Sequence, residues 1–434
     1  MWLRGSTDTL VANLAQQTSG LLLFLVIPNI LPVAQYAVVV IASVILGFTR
    51  FPDLGLSLVY GRDAPRYYGS GDLTMIEPWN ETILWFGVLS GAVVGVIAGA
   101  VFFANGGDPE LALLLALVPP LAAMSSAYMS FAAVRGDFRR YRDAQVLISL
   151  GRVLAIPLAL LFGLIGWFIA QVVGVLAVFI KSGVGWIPQP PRVQWALVTE
   201  HLPSGIQLSV ISLLWLQLLD SARLFAAIHY HPESIAVYGI VAAGYQSAIS
   251  LIIAAFLPVS VKTLRLLGNG DREAMEYVHH VIGRSLPLVF LLAVLGAEVA
   301  PWFLRLVFPQ YSIDSVIPRV MLYGLSAMPI VATVGSLLVG RKKNMTYLLL
   351  LIAAFAAAAG AEAFLRPHIG VQSAAFAQVF GAFTLAGMLL IAGRLLFVST
   401  PAVKAFGWWS PALWLAGLWS GYFTLRLFLV GSVV

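Results

Sequence analysis

Residues Gln207 to Arg223 read QLSVISLLWLQLLDSAR. The segment is apolar enough to lie in lipid, yet it carries Gln217, Asp220 and Arg223 well inside it. An ionised side chain at the centre of a bilayer costs roughly 2.5–3.5 kcal/mol on insertion scales, so it faces a partner or a water-filled cavity. Asp220 and Arg223 are three residues apart, share one face of a helix and can neutralise each other. Two readings stand: a structural bolt that fixes helix packing, or a charged wall of a solute pathway.

The rest of the chain has the same character. Of its 434 residues, 60% are hydrophobic and 10% charged, against about 25% charged in a soluble domain. With a mean hydropathy of +0.93, the chain reads as an all-α polytopic membrane protein. Its net charge of +6 reflects topology rather than nucleic-acid binding, because Lys and Arg collect in cytoplasmic loops. The lack of cysteine excludes disulfides, thiolate metal sites and Cys nucleophiles. The first apolar run, broken by Asn13, Gln16 and Gln17, is not that of a cleavable signal peptide.

A span needs about 20 largely apolar residues. Thirteen stretches qualify, at 6–30, 33–60, 78–103, 111–134, 146–164, 166–186, 204–228, 234–260, 285–306, 315–340, 345–365, 368–393 and 410–430. With the N-terminus in the cytoplasm, 18 of the 25 Lys and Arg residues fall at inner ends and loops, as the positive-inside rule requires. The chain also looks duplicated. Gly-x-Gly-Asp occurs at Gly69–Asp72 and again at Gly268–Asp271, 199 residues on, each time in a basic loop after a corresponding span. The expected architecture is therefore two six-helix lobes related by a pseudo-two-fold axis, residues 1–190 and 191–400. Residues 401–434 add a thirteenth span. An even number of spans per lobe makes the repeats parallel, with the axis along the membrane normal.

The polar residues inside spans define the candidate site. Asn13, Gln16 and Gln17 form a stripe at i, i+3, i+4 on the first span, and Gln217 precedes the Asp220–Arg223 pair on its counterpart, the seventh. Such a stripe either glues helices together or faces a wet cleft. Arg50 and Asp53, again three apart, lie in the inner half of the second span, and Glu298 near the middle of the ninth, with Arg305 on its face. Glu362 and Arg366 read as an interfacial pair at the outer end of the eleventh. Gly91, Gly95 and Gly99, at intervals of four, read as close helix packing. No Walker-type loop, metal-ligand spacing or catalytic constellation is present, and no cofactor is expected.

Several short motifs then resemble one family. They are Pro32-Val33-Ala34-Gln35-Tyr36, then Asp53-Leu54-Gly55-Leu56 with Arg62-Asp63-Ala64-Pro65-Arg66, then Arg135-Gly136-Asp137-Phe138-Arg139-Arg140-Tyr141. Asp220-Ser221-Ala222-Arg223-Leu224, Ala236-Val237-Tyr238-Gly239 and Pro258 complete the set. Together they resemble the Wzx-type O-antigen and capsule flippases, the polysaccharide branch of the MOP exporter superfamily. Gln35 and Ala37 stand where the family has an acid and a glycine, and Val237-Tyr238-Gly239 reorders another landmark.

The resemblance implies a two-lobed, MATE-like transporter of the bacterial inner membrane, not an enzyme. It would flip a polyprenyl-pyrophosphate-linked oligosaccharide from the cytoplasmic to the outer leaflet by alternating access. Its implied partners are that substrate, membrane lipids, a coupling H+ or Na+, and polysaccharide polymerase or assembly proteins. A guanidinium fork suits a phosphate. Arg50 and Arg223 are accordingly expected to hold the pyrophosphate, with Asp53 and Asp220 as their resting partners. Asn13, Gln16, Gln17 and Gln217 would bond sugar hydroxyls, and a buried Glu298 would take the coupling ion. Two alternatives compete: a cation-coupled multidrug antiporter of the same superfamily, and a membrane-embedded enzyme acting on a lipid-linked saccharide.

Overall fold

The computed structural model describes residues 2–49, 51–70, 74, 76–182, 192–269 and 271–397. The thirteenth expected span, the linker near residue 190 and Arg50 lie outside them. The first half of the chain forms α1 (Trp2–Ile30), α2 (Val33–Phe48), α3 (Leu56–Ser70), α4 (Ile76–Ala104), α5 (Pro109–Val134), α6 (Phe138–Val153), α7 (Ala155–Phe162) and α8 (Leu164–Ser182). The second half forms α9 (Trp195–Leu219), α10 (Ser221–His229), α11 (Pro232–Asn269), α12 (Asp271–Val307), α13 (Val316–Tyr323), α14 (Met328–Gly340), α15 (Asn344–Ile369) and α16 (Ser373–Phe397). Among the described residues, nine helical stretches are long and apolar enough to cross a membrane, and Val33–Phe48 and Leu164–Val178 are shorter apolar helices.

Twelve of the expected spans match helices, with instructive differences. The second ends early: α2 stops at Phe48, and a turn carries Leu54 (φ 52°) and Gly55 (φ 82°) into α3. What read as a loop from Arg62 is helical to Ser70. The stretch after Lys262 likewise read as a loop, but α11 and α12 run for 38 and 37 residues to either side of residue 270. At 1.5 Å per residue each is about 55 Å long, well beyond the roughly 30 Å of a hydrocarbon core. The polar segment is helical because Ala274, Met275, Val278 and Ile282 recur at helical spacing and are all buried.

The chain divides into two compact units, one of residues 1–247 with Phe303–Ile313, the other of Ala248–Trp302 with the residues from Asp314 onward. In the first unit, Leu56, Val59, Tyr60, Trp79, Phe86 and Phe131 build a core around α3, α4 and α5. Within it the Tyr60 hydroxyl donates to Asn80 Oδ1 at 2.7 Å.

The Gly91-Gly95-Gly99 stripe does what its spacing suggests. A Cβ on Gly95 would lie 2.1 Å from the Ala116 carbonyl oxygen of α5, and one on Gly99 would lie 2.8 Å from that of Ala112. The backbones are too close for any side chain. Gly95→Val is expected to cost about 1–3 kcal/mol by forcing α4 and α5 apart, read as a lowered melting temperature. Gly360→Ala is the control. Nothing lies within 4 Å of that position, so alanine there gains helix propensity and leaves stability equal or raised.

Candidate functional site

The Asp220–Arg223 pair sits at a break in a helix. Asp220 alone, at φ −117° and ψ 11°, separates α9 from α10. The Arg223 and Leu224 N–H groups both donate to the Asp220 carbonyl, at 3.1 Å, so Leu219 loses its usual partner from Arg223. Gln246 of α11 repairs the loss, donating from Nε2 to the Leu219 carbonyl at 3.3 Å. The Ser221 hydroxyl donates to the Leu218 carbonyl at 2.9 Å. Irregular backbone at membrane depth is tolerated only where it is buried in protein or lines a cavity.

The ion pair itself is made end-on. Arg223 Nη2 meets Asp220 Oδ2, while Asp220 Oδ1 and Arg223 Nε are buried without a hydrogen-bond partner. A bidentate fork would have used both edges. The pair therefore neutralises charge and keeps hydrogen-bonding capacity on each member. Around it, Tyr36 of α2 is buried and within electrostatic range of Arg223. α2 and α11 touch closely: a Cβ on Gly239 would sit 2.1 Å from Val40 Cγ2 and 3.2 Å from Tyr36 Cε1. Tyr36, Gly239 and Arg223, from three separate motifs, are thereby brought to one place.

The other expected site residues have different surroundings. Gln217 is buried, with its Nε2 3.1 Å from where a Cβ on Gly47 would be, so it packs on α2. Asn13, Gln16 and Gln17 are exposed on one arc of α1, whereas Ala12 and Ser19 on another arc are buried. Asp53 caps α3: its carboxylate accepts from Gly55 N at 3.1 Å and Ser57 N at 2.6 Å. Glu298 is not the buried carboxylate that the ninth span suggested. Its side chain is 48% exposed, it pairs with Arg319 at 3.2 Å, and it accepts from the Tyr323 hydroxyl at 3.4 Å. The burial on which an ion-coupling role rested is therefore missing. Glu362, in contrast, is buried, at 2% exposure.

Three features escaped the sequence. Arg319, near the start of the tenth apolar stretch, was visible as an intramembrane arginine, but nothing in the spacing links it to Glu298. Asp8 of α1 pairs with Arg142 of α6 at 2.5 Å, and Arg142 also holds Asp143 at 2.8 Å. Finally, Pro32 has no N–H to give the Pro28 carbonyl four residues back, and Gln310 Nε2 and the Tyr311 hydroxyl, the latter at 2.8 Å, donate to it instead. Burial pushes the Tyr311 phenol up to about 12, so it is a neutral donor at physiological pH. Among the described residues, no group of three or more His, Asp or Glu is placed to hold a metal ion.

No family model matches the chain, and no curated protein matches it by sequence. Solved structures are. An inward-facing multidrug resistance MATE family transporter of the MOP superfamily aligns with a TM-score of 0.64 and 16% identity, covering 92% of this chain and 96% of its own. The eukaryotic MATE transporter AtDTX14 aligns at 0.62 and 13% identity, covering 95% and 98%. A mutant of the Vibrio cholerae MATE transporter VcmN aligns at 0.61 and 15% identity, covering 92% and 97%. At these identities the likeness establishes the fold: an all-helical polytopic membrane protein of the MATE type.

Proposed function

We propose that this chain is a transporter working by alternating access between two six-span lobes. Its substrate would be a polyprenyl-pyrophosphate-linked oligosaccharide, moved from the cytoplasmic to the outer leaflet of a bacterial inner membrane and driven by an ion gradient. The observation that carries the reading is Arg223, a guanidinium at a helix break with its Nε buried and unpartnered. An anion crossing about 30 Å of hydrocarbon needs such a group, and phosphate oxygens fit its fork. The exposed arc of Asn13, Gln16 and Gln17 supports the same reading, because amides facing lipid would be costly while amides facing a wet cleft can bind sugar hydroxyls. The strong bias of basic residues to one side favours a cytoplasmic N-terminus. Arg50 stays in the proposal on its sequence position alone.

The decisive assay is reconstitution with labelled lipid-linked oligosaccharide, reading its exposure to a lectin on the far leaflet. Asp220→Asn/Arg223→Gln, which leaves no charge stranded, is expected to lower the rate by about ten- to a hundredfold, the value of one charge-assisted hydrogen bond of roughly 1.5–3 kcal/mol. Wild-type protein that moves cationic dyes and leaves the saccharide in place would favour the multidrug antiporter. That second reading draws its support from the multidrug MATE structures that share the fold and from the unpartnered Asp220 Oδ1.

A further inference from the structure

Arg319 has no place in the reading above, yet its surroundings repeat those of Arg223. It stands on α13, a helix whose first turn is pinned: Asp314 Oδ1 accepts from Val316 N at 2.9 Å, and Asp314 Oδ2 accepts from Gln372 Nε2 at 2.7 Å. The arginine is thus delivered by a fixed support. Its counter-ion stands on α12 and is half-exposed. Glu298 divides its two oxygens, giving Oε2 to Arg319 Nη2 at 3.2 Å and Oε1 to the Tyr323 hydroxyl at 3.4 Å. Arg319 Nε is buried and has no acceptor. A guanidinium edge of Nε and Nη2 matches two oxygens of one phosphoryl group, and here a single carboxylate oxygen uses half of it.

The position matters as much as the geometry. Glu298 lies at the margin of an exposed apolar face of α12 made by Leu291, Leu295, Val299 and Trp302. A half-exposed carboxylate beside such a face is a poor structural bolt. It is well placed to swing aside when a competing anion arrives.

We infer that Arg319 is a second phosphoryl-binding residue, with Glu298 as its exchangeable counter-ion. The inference rests on the reading of the chain as a carrier of a phosphorylated substrate, and adds a subsite in the other compact unit. Phosphoryl oxygens are the shared chemistry. They come from the pyrophosphate of a carried lipid or from the headgroup of a membrane phospholipid.

The test uses the purified full-length protein and two probes: inorganic pyrophosphate titrated calorimetrically in detergent, and phosphatidylglycerol retained from nanodiscs, read by native mass spectrometry. Glu298→Gln removes the competitor and leaves the guanidinium, so binding tightens by about three- to tenfold. Arg319→Gln weakens it by about tenfold or more, and Arg319→Lys, with charge but no fork, falls between. A response confined to pyrophosphate assigns the subsite to the carried group, and one confined to phosphatidylglycerol assigns it to the bilayer. A purely structural pair gives unchanged or weaker binding for Glu298→Gln, and either result overturns the inference even if Arg319→Gln fails to fold. Binding lost in Arg223→Gln but indifferent to positions 298 and 319 also overturns it, while leaving the proposed function standing. Wild-type protein that binds neither probe overturns the subsite, and flipping of the labelled saccharide then decides the broader reading on its own.

Discussion

Arg223→Gln, with Asp220 left in place, is expected to lower the stability of the protein by about 3–5 kcal/mol. Removing one member of a buried pair strands the other charge, and that penalty exceeds the worth of the pair. Both side chains are largely shielded, at 20% and 12% exposure, so solvent does little to rescue the survivor. Asp220→Asn/Arg223→Gln removes both charges and should regain most of the loss, because replacing a whole pair by neutral groups of similar volume is often nearly neutral. Thermal unfolding of the purified variants gives the comparison. A double variant as unstable as the single one would mean that the charges were not the origin of the loss. The same double variant separates the two roles of the pair. If Arg223 contacts the substrate, stability returns and transport does not. If the pair is only a bolt between α9 and α10, both return together.

A second large effect is expected at Gly55. Its φ of 82° belongs to the left-handed region, where a Cβ costs roughly 1–2 kcal/mol. That Cβ would also lie 2.1 Å from the Gly205 carbonyl oxygen of α9, and overpacking adds about 1–3 kcal/mol. Gly55→Ala should therefore lose about 3 kcal/mol or more, seen as a low yield of folded protein and an early melting transition. Gly106 supplies an internal comparison: its φ is 84°, and nothing lies within 4 Å of its missing Cβ. Gly106→Ala carries the conformational cost without the clash, so it should lose about 1 kcal/mol. Equal losses at the two sites would show that backbone conformation alone, and not the α3–α9 approach, makes glycine necessary at Gly55.

Gly55 also illustrates what a motif can and cannot convey. Asp53-Leu54-Gly55-Leu56 was legible as a landmark, and its acid was read as the resting partner of a pathway arginine. The carboxylate caps α3 through Gly55 N and Ser57 N, a role any Asp ahead of a helix can take, while Arg50 lies outside the described residues. Spacing of i, i+3 presumes a continuous helix, and α2 ends at Phe48. At Asp220 the helix breaks as well, but there the partner three residues on was still the right one, because the Arg223 and Leu224 N–H groups fold back onto the Asp220 carbonyl. Glu298 is more exposed than its place in the span suggested. Its neighbours in the chain are apolar, so it read as buried, whereas burial depends on which helix covers that face.

Hydropathy by itself determined that this chain is a bundle of membrane helices, roughly where twelve of them run, and which small residues let α4 and α5 touch. Those are local properties, written in twenty-residue windows and in intervals of four. Pairings between helices were decided only by tertiary structure: Arg319 with Glu298, Asp8 with Arg142, and Gln310 and Tyr311 with the carbonyl that Pro32 cannot serve. The need for a partner is visible in a sequence, since a buried charge or an orphaned carbonyl is costly wherever it occurs. The partner's identity is not, because it is set by helix rotation and crossing, and those follow from the packing of every side chain at the interface together.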